Sequence, residues 1–223
     1  MSISFTAAKA APAEATVLAV PVFAGLSQPD GVELDARYLE AVGFEAKPGQ
    51  AHSLLADDGG TVVAVGLGDP GKVTAETFRK AGAAVAKAAW RSTDVAVALA
   101  GAAPDAVAEI TAARAVVEGI GLGSYRYGAW KSSDKPCRIE RVAVVGRSGR
   151  LQAALDAASV VVEAVCLARD LVNEPAGALT PTRLGEQAVA VAERAGLGVR
   201  VLGPDEMRAE RMGALLGVAQ GSD

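Results

Sequence analysis

Short apolar runs bounded by turn residues alternate along this chain with stretches in which apolar positions recur every three or four residues. The first pattern predicts strands at 17–23, 61–65, 95–100, 141–146, 199–202 and 215–219. These runs are rich in Val and Leu with little alternation, as expected for strands covered on both faces. The second pattern predicts helices at 75–90, 104–122, 151–172 and 181–195. Thr74 is placed to cap the first, whose Phe78, Ala81, Val85 and Ala88 share one face. The third carries the longest stripe: Leu151, Leu155, Ala158, Val162, Val165, Ala168 and Val172, spanning about 33 Å if straight. Between Ala157 and Ala168 only Ser159 and Glu163 break its apolar surface, and Arg169 follows directly. That composition predicts burial on more than one side, as in a helix joining two domains or lying inside one. Asn173-Glu174-Pro175 ends it. Thr180 and Pro181 open the fourth helix and Gly196 closes it. The alternation is that of an α/β protein. The last two strands and the helix between them read as the opening of a further α/β layer, so the chain is expected to be part of a longer protein.

Composition narrows the chemistry. The 223 residues are 51% hydrophobic and 22% charged with a net charge of −4, so no general basic field attracts nucleic acid or anionic lipid. No uninterrupted apolar stretch approaches the ~20 residues of a membrane span, and the N-terminus has no secretory pattern. Cys137 and Cys166 match no zinc or redox spacing and read as reduced thiols of a cytoplasmic protein. His52 is the sole histidine, in a polar stretch read as a solvated loop; a His-rich zinc site is excluded.

Three motifs invite function. Gly66-Leu67-Gly68-Asp69-Pro70-Gly71 follows a predicted strand in the dinucleotide-binding spacing. Pro70 removes an N–H, Asp69 adds charge where phosphates would sit, and the helix starts only at Thr74, so a plain strand-to-helix turn is expected. Gly71-Lys72-Val73 lacks the hydroxyl residue of a phosphate-binding loop. Lys131, Lys135, Arg138, Arg141, Arg147 and Arg150 face only Asp134 and Glu140 in sequence, an excess of four positive charges. With Tyr125, Tyr127 and Trp130 upstream, this stretch offers a DNA-contact surface; its ordinary reading is a solvated rim around a strand. Asp57-Asp58 beside Gly59-Gly60 is turn chemistry.

From Arg169 onward a family likeness emerges. Arg169-Asp170-Leu171-Val172-Asn173-Glu174-Pro175, Leu179-Thr180-Pro181, Gly196-Leu197-Gly198-Val199-Arg200-Val201-Leu202 and Met212-Gly213-Ala214-Leu215-Leu216-Gly217-Val218-Ala219-Gln220-Gly221-Ser222 resemble the entry to the catalytic domain of the leucine (cytosol) aminopeptidases. Upstream, Gly121-Leu122-Gly123-Ser124-Tyr125-Arg126-Tyr127 with Lys131, and Val65-Gly66-Leu67-Gly68 before Phe78-Arg79-Lys80-Ala81-Gly82, resemble the N-terminal domain. Gly177 stands where the family often has Asn; both residues tolerate positive φ.

The resemblance implies a macro-like α/β N-terminal domain with a mixed or parallel sheet flanked by helices at 1–150. It implies a linking helix at 151–172 and the start of a metallopeptidase domain at 173–223. It further implies a cytoplasmic, homo-hexameric enzyme, not membrane-bound, that removes N-terminal residues such as Leu from peptides. Two divalent ions, manganese or zinc, would be held by Asp, Glu and Lys side chains downstream of Gln220-Gly221-Ser222. No catalytic, cofactor-binding or metal residue is therefore expected within residues 1–223, and this chain alone is expected to be inactive. The competing expectations are a stand-alone macro-like module holding a nucleotide or ADP-ribose-type ligand, and a DNA-contacting module.

Overall fold

The computed structural model describes residues 3–29, 31–56, 59–104, 107–132 and 135–221. These fall into two compact units, Met1–Asp170 and Leu171–Asp223. The first is built on a six-stranded mixed sheet: β1 (Ser4–Ala8), β2 (Val17–Phe23), β3 (Ala51–Leu55), β4 (Thr61–Gly68), β5 (Asp94–Val97) and β6 (Arg141–Val145). Their spatial order is β1-β6-β5-β2-β4-β3, with every pair parallel except β3 against β4. Four of these strands stand where the apolar runs predict them. The other two, β1 and β3, are edge strands with little Val or Ile, and pairing rather than propensity makes them strands.

Helices α1 (Ala36–Ala41), α2 (Ala75–Ala88) and α3 (Glu109–Gly123) belong to this unit, as does most of α4 (Leu151–Asn173). Thr74 caps α2 by accepting from Thr77 N at 3.4 Å, while Thr77 Oγ1 accepts from Thr74 N at 3.1 Å. Asp35, which the apolar pattern does not reveal, caps α1 through Arg37 N at 2.9 Å. Alternate residues of the sheet enter two cores. The larger joins Val63, Val65, Val95 and Val142 to Phe78, Val85, Val116, Ile120 and Leu155. On the opposite face, Val22 and Ala64 meet Leu39, Phe44 and Ala46.

Helices α2 and α3 cross with their backbones in contact. A Cβ on Gly119 would lie 2.1 Å from Arg79 O, and one on Gly82 would lie 2.4 Å from Val116 O. Arg79 reaches across the crossing to Glu118, with Nε and Nη2 at 2.9 and 2.7 Å from Oε2, and also pairs with Glu76 on its own helix.

The long helix corrects one expectation. Its stripe is buried at Leu151, Leu155, Ala158 and Val162, half-buried at Val165 and exposed at Ala168 and Val172, while Val160 and Val161 are also exposed. Burial is thus one-sided among the described residues; midway along the buried face Gly121 of α3 receives Val162, with a Cβ at 121 only 2.5 Å from Val162 Cγ1. By length and composition α4 also meets the test for a membrane span, which the absence of an uninterrupted run conceals. Leu151, Leu155 and Ala158, however, pack into the larger core of the first unit.

The second unit holds the end of α4 with α5 (Pro181–Ala195), α6 (Pro204–Ala209) and α7 (Gly213–Ala219). Thr180 caps α5, accepting from Arg183 N at 3.4 Å, and Gly196 ends it at φ +66°. Two predicted strands are overturned here. Residues 215–219 are helical, and 199–202 run without a ladder partner among the described residues. A short apolar run fits a helix as well as a strand, and a strand needs a neighbour that none of the described segments of this unit provides. Gly177 is not in the left-handed region, so positive φ is not what glycine serves there.

Candidate functional site

The C-terminal ends of parallel strands are where open α/β sheets bind ligands, so the loops there were the first candidates. At the end of β4, Gly66 N donates to Gln50 O at 2.8 Å and Gly68 N to Ala46 O at 2.9 Å. The segment 46–50 lies directly on the strand: a Cβ on Gly66 would sit 2.3 Å from Lys47 O. Gly68 adopts φ +74°, and Asp69 Oδ1 accepts from Gly71 N at 2.9 Å. Gly66 therefore serves close packing against backbone and Gly68 against Pro48, and the N–H groups of Gly66, Gly68 and Gly71 are already used. After β6, Glu109 of α3 plays the equivalent part, accepting from Arg147 N at 2.7 Å and Ser148 N at 3.0 Å. A carboxylate thus occupies the backbone cradle that an anion would take. Neither loop favours the nucleotide-module reading. The filling residues, Gln50 and Glu109, carry no sequence motif, so only contact reveals them.

The basic stretch is dispersed. Arg141 is committed to Asp94, with Nη2 2.7 Å from Oδ2 and a second bond from Nε, and Thr93 Oγ1 donates to the same carboxylate at 2.7 Å. Lys131, Lys135, Arg138, Arg147 and Arg150 are exposed, as on a solvated rim, and Asp134 lies outside the described residues. Trp130 is 63% exposed and its Nε1 donates to Tyr127 Oη at 3.0 Å, while Arg126 stacks over Trp90.

The Arg141 guanidinium, then Thr93, hold the Asp94 carboxyl below the usual carboxylate range. A depressed folded-state pKa gives stability that is complete above the unfolded value, about 3.9, and is lost as pH falls through the folded one. Asp94→Asn is therefore expected to flatten the acid limb of stability below about pH 4, relative to the parent chain. Urea midpoints across that range check this; parallel acid limbs would remove Asp94 from the account.

His52 lies on β3 rather than in a loop, with Nε2 3.4 Å from Tyr38 Oη. Asp57 and Asp58, read as turn chemistry, lie outside the described residues. Both cysteines are free, and burial pushes the Cys166 thiol up, away from nucleophilic chemistry. Among the described residues no three His, Cys, Asp or Glu side chains gather to hold a metal, so these residues do not fit a two-ion centre.

Two motifs that the sequence presents separately do meet. Tyr125 Oη donates to Asp170 Oδ1 at 2.9 Å, Arg169 stacks over the Tyr125 ring at 5.3 Å, and Arg169 Nη1 donates to Leu122 O at 3.1 Å. The 121–127 and 169–175 stretches are thus joined where α4 leaves α3, an anchoring contact rather than a reactive one.

Comparison with known proteins agrees with the placement of these motifs. The family model described as the cytosol aminopeptidase family N-terminal domain matches residues 19–134, and that of the catalytic domain matches residues 166–223. A protein of Nostoc punctiforme named "Probable cytosol aminopeptidase" is 39% identical over 178 residues, covering 73% of this chain and 33% of that protein. One of Rhizobium etli with the same name is 33% identical over 211 residues, covering 89% and 41%. The chain therefore spans well under half the length of these relatives. A solved tomato leucine aminopeptidase mutant superposes with a TM-score of 0.82 at 25% identity, covering 99% of this chain and 48% of that one. The bottromycin maturation enzyme BotP gives 0.71 at 35% identity, covering 82% and 38%. With the N-terminal model alone matching more than half of its residues, this chain belongs to the cytosol aminopeptidase family and carries that family's N-terminal domain and the start of its catalytic domain.

Proposed function

We propose that the protein containing these residues is a cytoplasmic, homo-hexameric aminopeptidase that removes N-terminal residues such as Leu from peptides. The observation that carries the reading is the two family models in tandem along one chain. In this reading 1–150 forms the N-terminal domain, 151–172 the linking helix and 173–223 the opening of the catalytic domain. Two divalent ions, manganese or zinc, held by other residues of the catalytic domain, would supply the Lewis-acid chemistry of peptide hydrolysis. BotP has also been solved in complex with Mn, which supports a metal-dependent family chemistry. The acidic cage for such ions is assigned to catalytic-domain residues beyond this chain, because the donor set among the described residues does not gather into one. Within the first unit, the Tyr125–Asp170 and Arg169–Leu122 contacts hold that part of α4 against the end of α3.

The test uses a leucyl chromogenic substrate with added manganese or zinc. Residues 1–223 alone are expected to give no turnover above the blank, and the longer protein to give turnover that a chelator abolishes. Metal-dependent hydrolysis by residues 1–223 would falsify the assignment of the cage. ADP-ribose is expected to leave the thermal midpoint of the chain unchanged, whereas a true ligand at 100 times its Kd adds about 2.7 kcal/mol.

A further inference from the structure

The two edges of the sheet are treated differently. At β1, the Gln152 side chain does what a neighbouring strand would do: its Oε1 accepts from Ala7 N at 2.8 Å and its Nε2 donates to Phe5 O at 3.1 Å. One outward N–H and one outward C=O of that edge are thus already taken. At β3 no such cover is present among the described residues. Ala56 N donates to Gly60 O and Gly66 N to Gln50 O, so the even-numbered residues of β3 carry the ladder to β4. In an antiparallel pair the intervening groups turn outward, so the N–H and C=O of Ala51, Ser53 and Leu55 face away from the sheet. Thr61 N donating to Thr16 O on the far side of β4 agrees with this alternation.

An exposed edge is usually protected by charged residues or proline on the strand itself. Ala51-His52-Ser53-Leu54-Leu55 has neither a proline nor an Asp, Glu, Lys or Arg, and Leu55 is 83% exposed. Beside this edge lies an open cleft of about 620 Å³ between β3 and α2, with Ala51, Ser53, Ala83 and Ala84 among its apolar and small lining residues and Lys80 and Lys87 beside them. Neither lysine makes an ion pair among the described residues. They stand two turns apart, about 10.5 Å along the helix axis, which corresponds to about three residues of an extended chain.

We propose that the β3 edge and its Lys80/Lys87 cleft form a docking site for an extended acidic peptide segment of a partner protein. The segment adds a strand to the sheet through the outward groups of Ala51, Ser53 and Leu55, and alternate side chains enter the cleft. The shallow alanine floor admits small apolar side chains, and the two lysines select carboxylates at its rim. Charge complementarity decides the partner's chemistry: the cleft's only charged lining residues are both cationic, while the chain as a whole is acidic.

The probe is a fluorescently labelled peptide of about six residues, Glu-Ser-Val-Ser-Glu-Ser, whose alternate positions turn both glutamates and the valine to the cleft face, titrated into the 223-residue chain. Saturable binding at low ionic strength that weakens with salt is expected, with no binding of the counterpart carrying lysine in place of glutamate. Ser53→Pro removes one outward N–H without touching the ladder, and Lys80→Gln with Lys87→Gln removes the charge; each is expected to weaken binding by about tenfold or more. Should Ser53→Pro fail to fold, N-methylation of the peptide's pairing amides gives the same test on the unaltered chain, with the same loss expected. No saturable binding, binding indifferent to both backbone blocks, or equal competition by free glutamate overturns the proposal. So does self-association of the chain through β3 that excludes the peptide.

Discussion

Gly119→Val is expected to destabilise the first unit by about 3 kcal/mol, at the upper end of the cost of forcing extra carbons into a packed contact. The smallest possible addition already fails: a Cβ at this position would lie 2.1 Å from Arg79 O and 3.0 Å from Ala83 N. Both neighbours are backbone, so no side chain can swing aside. To admit even a methyl group, α2 and α3 must separate, opening the contacts of Phe78, Val85, Val116 and Ile120, each 0% exposed. Separation would also stretch the Arg79–Glu118 pair that spans the crossing. For a chain of this length the thermal midpoint should fall by about 6–12 °C. Gly177→Ala is the control, because nothing lies within 4 Å of the added carbon and φ is not positive. It should stay within about 0.5 kcal/mol of the parent. Calorimetry on the two variants checks both values, and equal midpoints would remove the helix crossing as the reason for glycine at 119.

The second large effect is expected at Gly66. Gly66→Ala should cost about 2–3 kcal/mol, because its Cβ would meet Lys47 O at 2.3 Å and Ala46 C at 2.5 Å. The segment 46–50 would lift from β4, and with it the bonds from Gly66 N to Gln50 O and Gly68 N to Ala46 O. The smaller core would lose its hold on Ala46, which is fully buried there. A dinucleotide-binding loop predicts something else: the same substitution would leave stability little changed and abolish a ligand-induced thermal shift. Denaturation midpoints with and without a dinucleotide separate the two, and a stable Gly66→Ala chain would return this loop to the list of ligand sites.

The loop after β4 also shows how far a motif can be read without contacts. Pro70, Asp69 and the late helix start argue from the residues alone against a pyrophosphate loop, and the structure shows the N–H groups of Gly66, Gly68 and Gly71 already engaged. What occupies the space instead, the 46–50 segment, has no signature, since any backbone carbonyl can accept from a glycine N–H. Glu109 is invisible for the same reason: it is one acidic residue at a helix start until β6 and its loop come beside it. Lys80 and Lys87 sit seven apart on the polar side of α2 and could have been noticed as a pair. Their relation to β3 could not, because β3 itself lacks the Val and Ile that announce a strand.

Local chemistry alone determined the buried strands β2, β4, β5 and β6, the caps at Thr74 and Thr180, the close of α5 at Gly196 and the family, because each depends on residues near one another in sequence. Tertiary structure decided the edge strands, which exist only by pairing. It also turned 215–219 into a helix, buried α4 on one side only among the described residues and brought Tyr125 to Asp170. Each of these outcomes depends on which surface arrives opposite a segment, and hydrophobic periodicity carries no record of that partner.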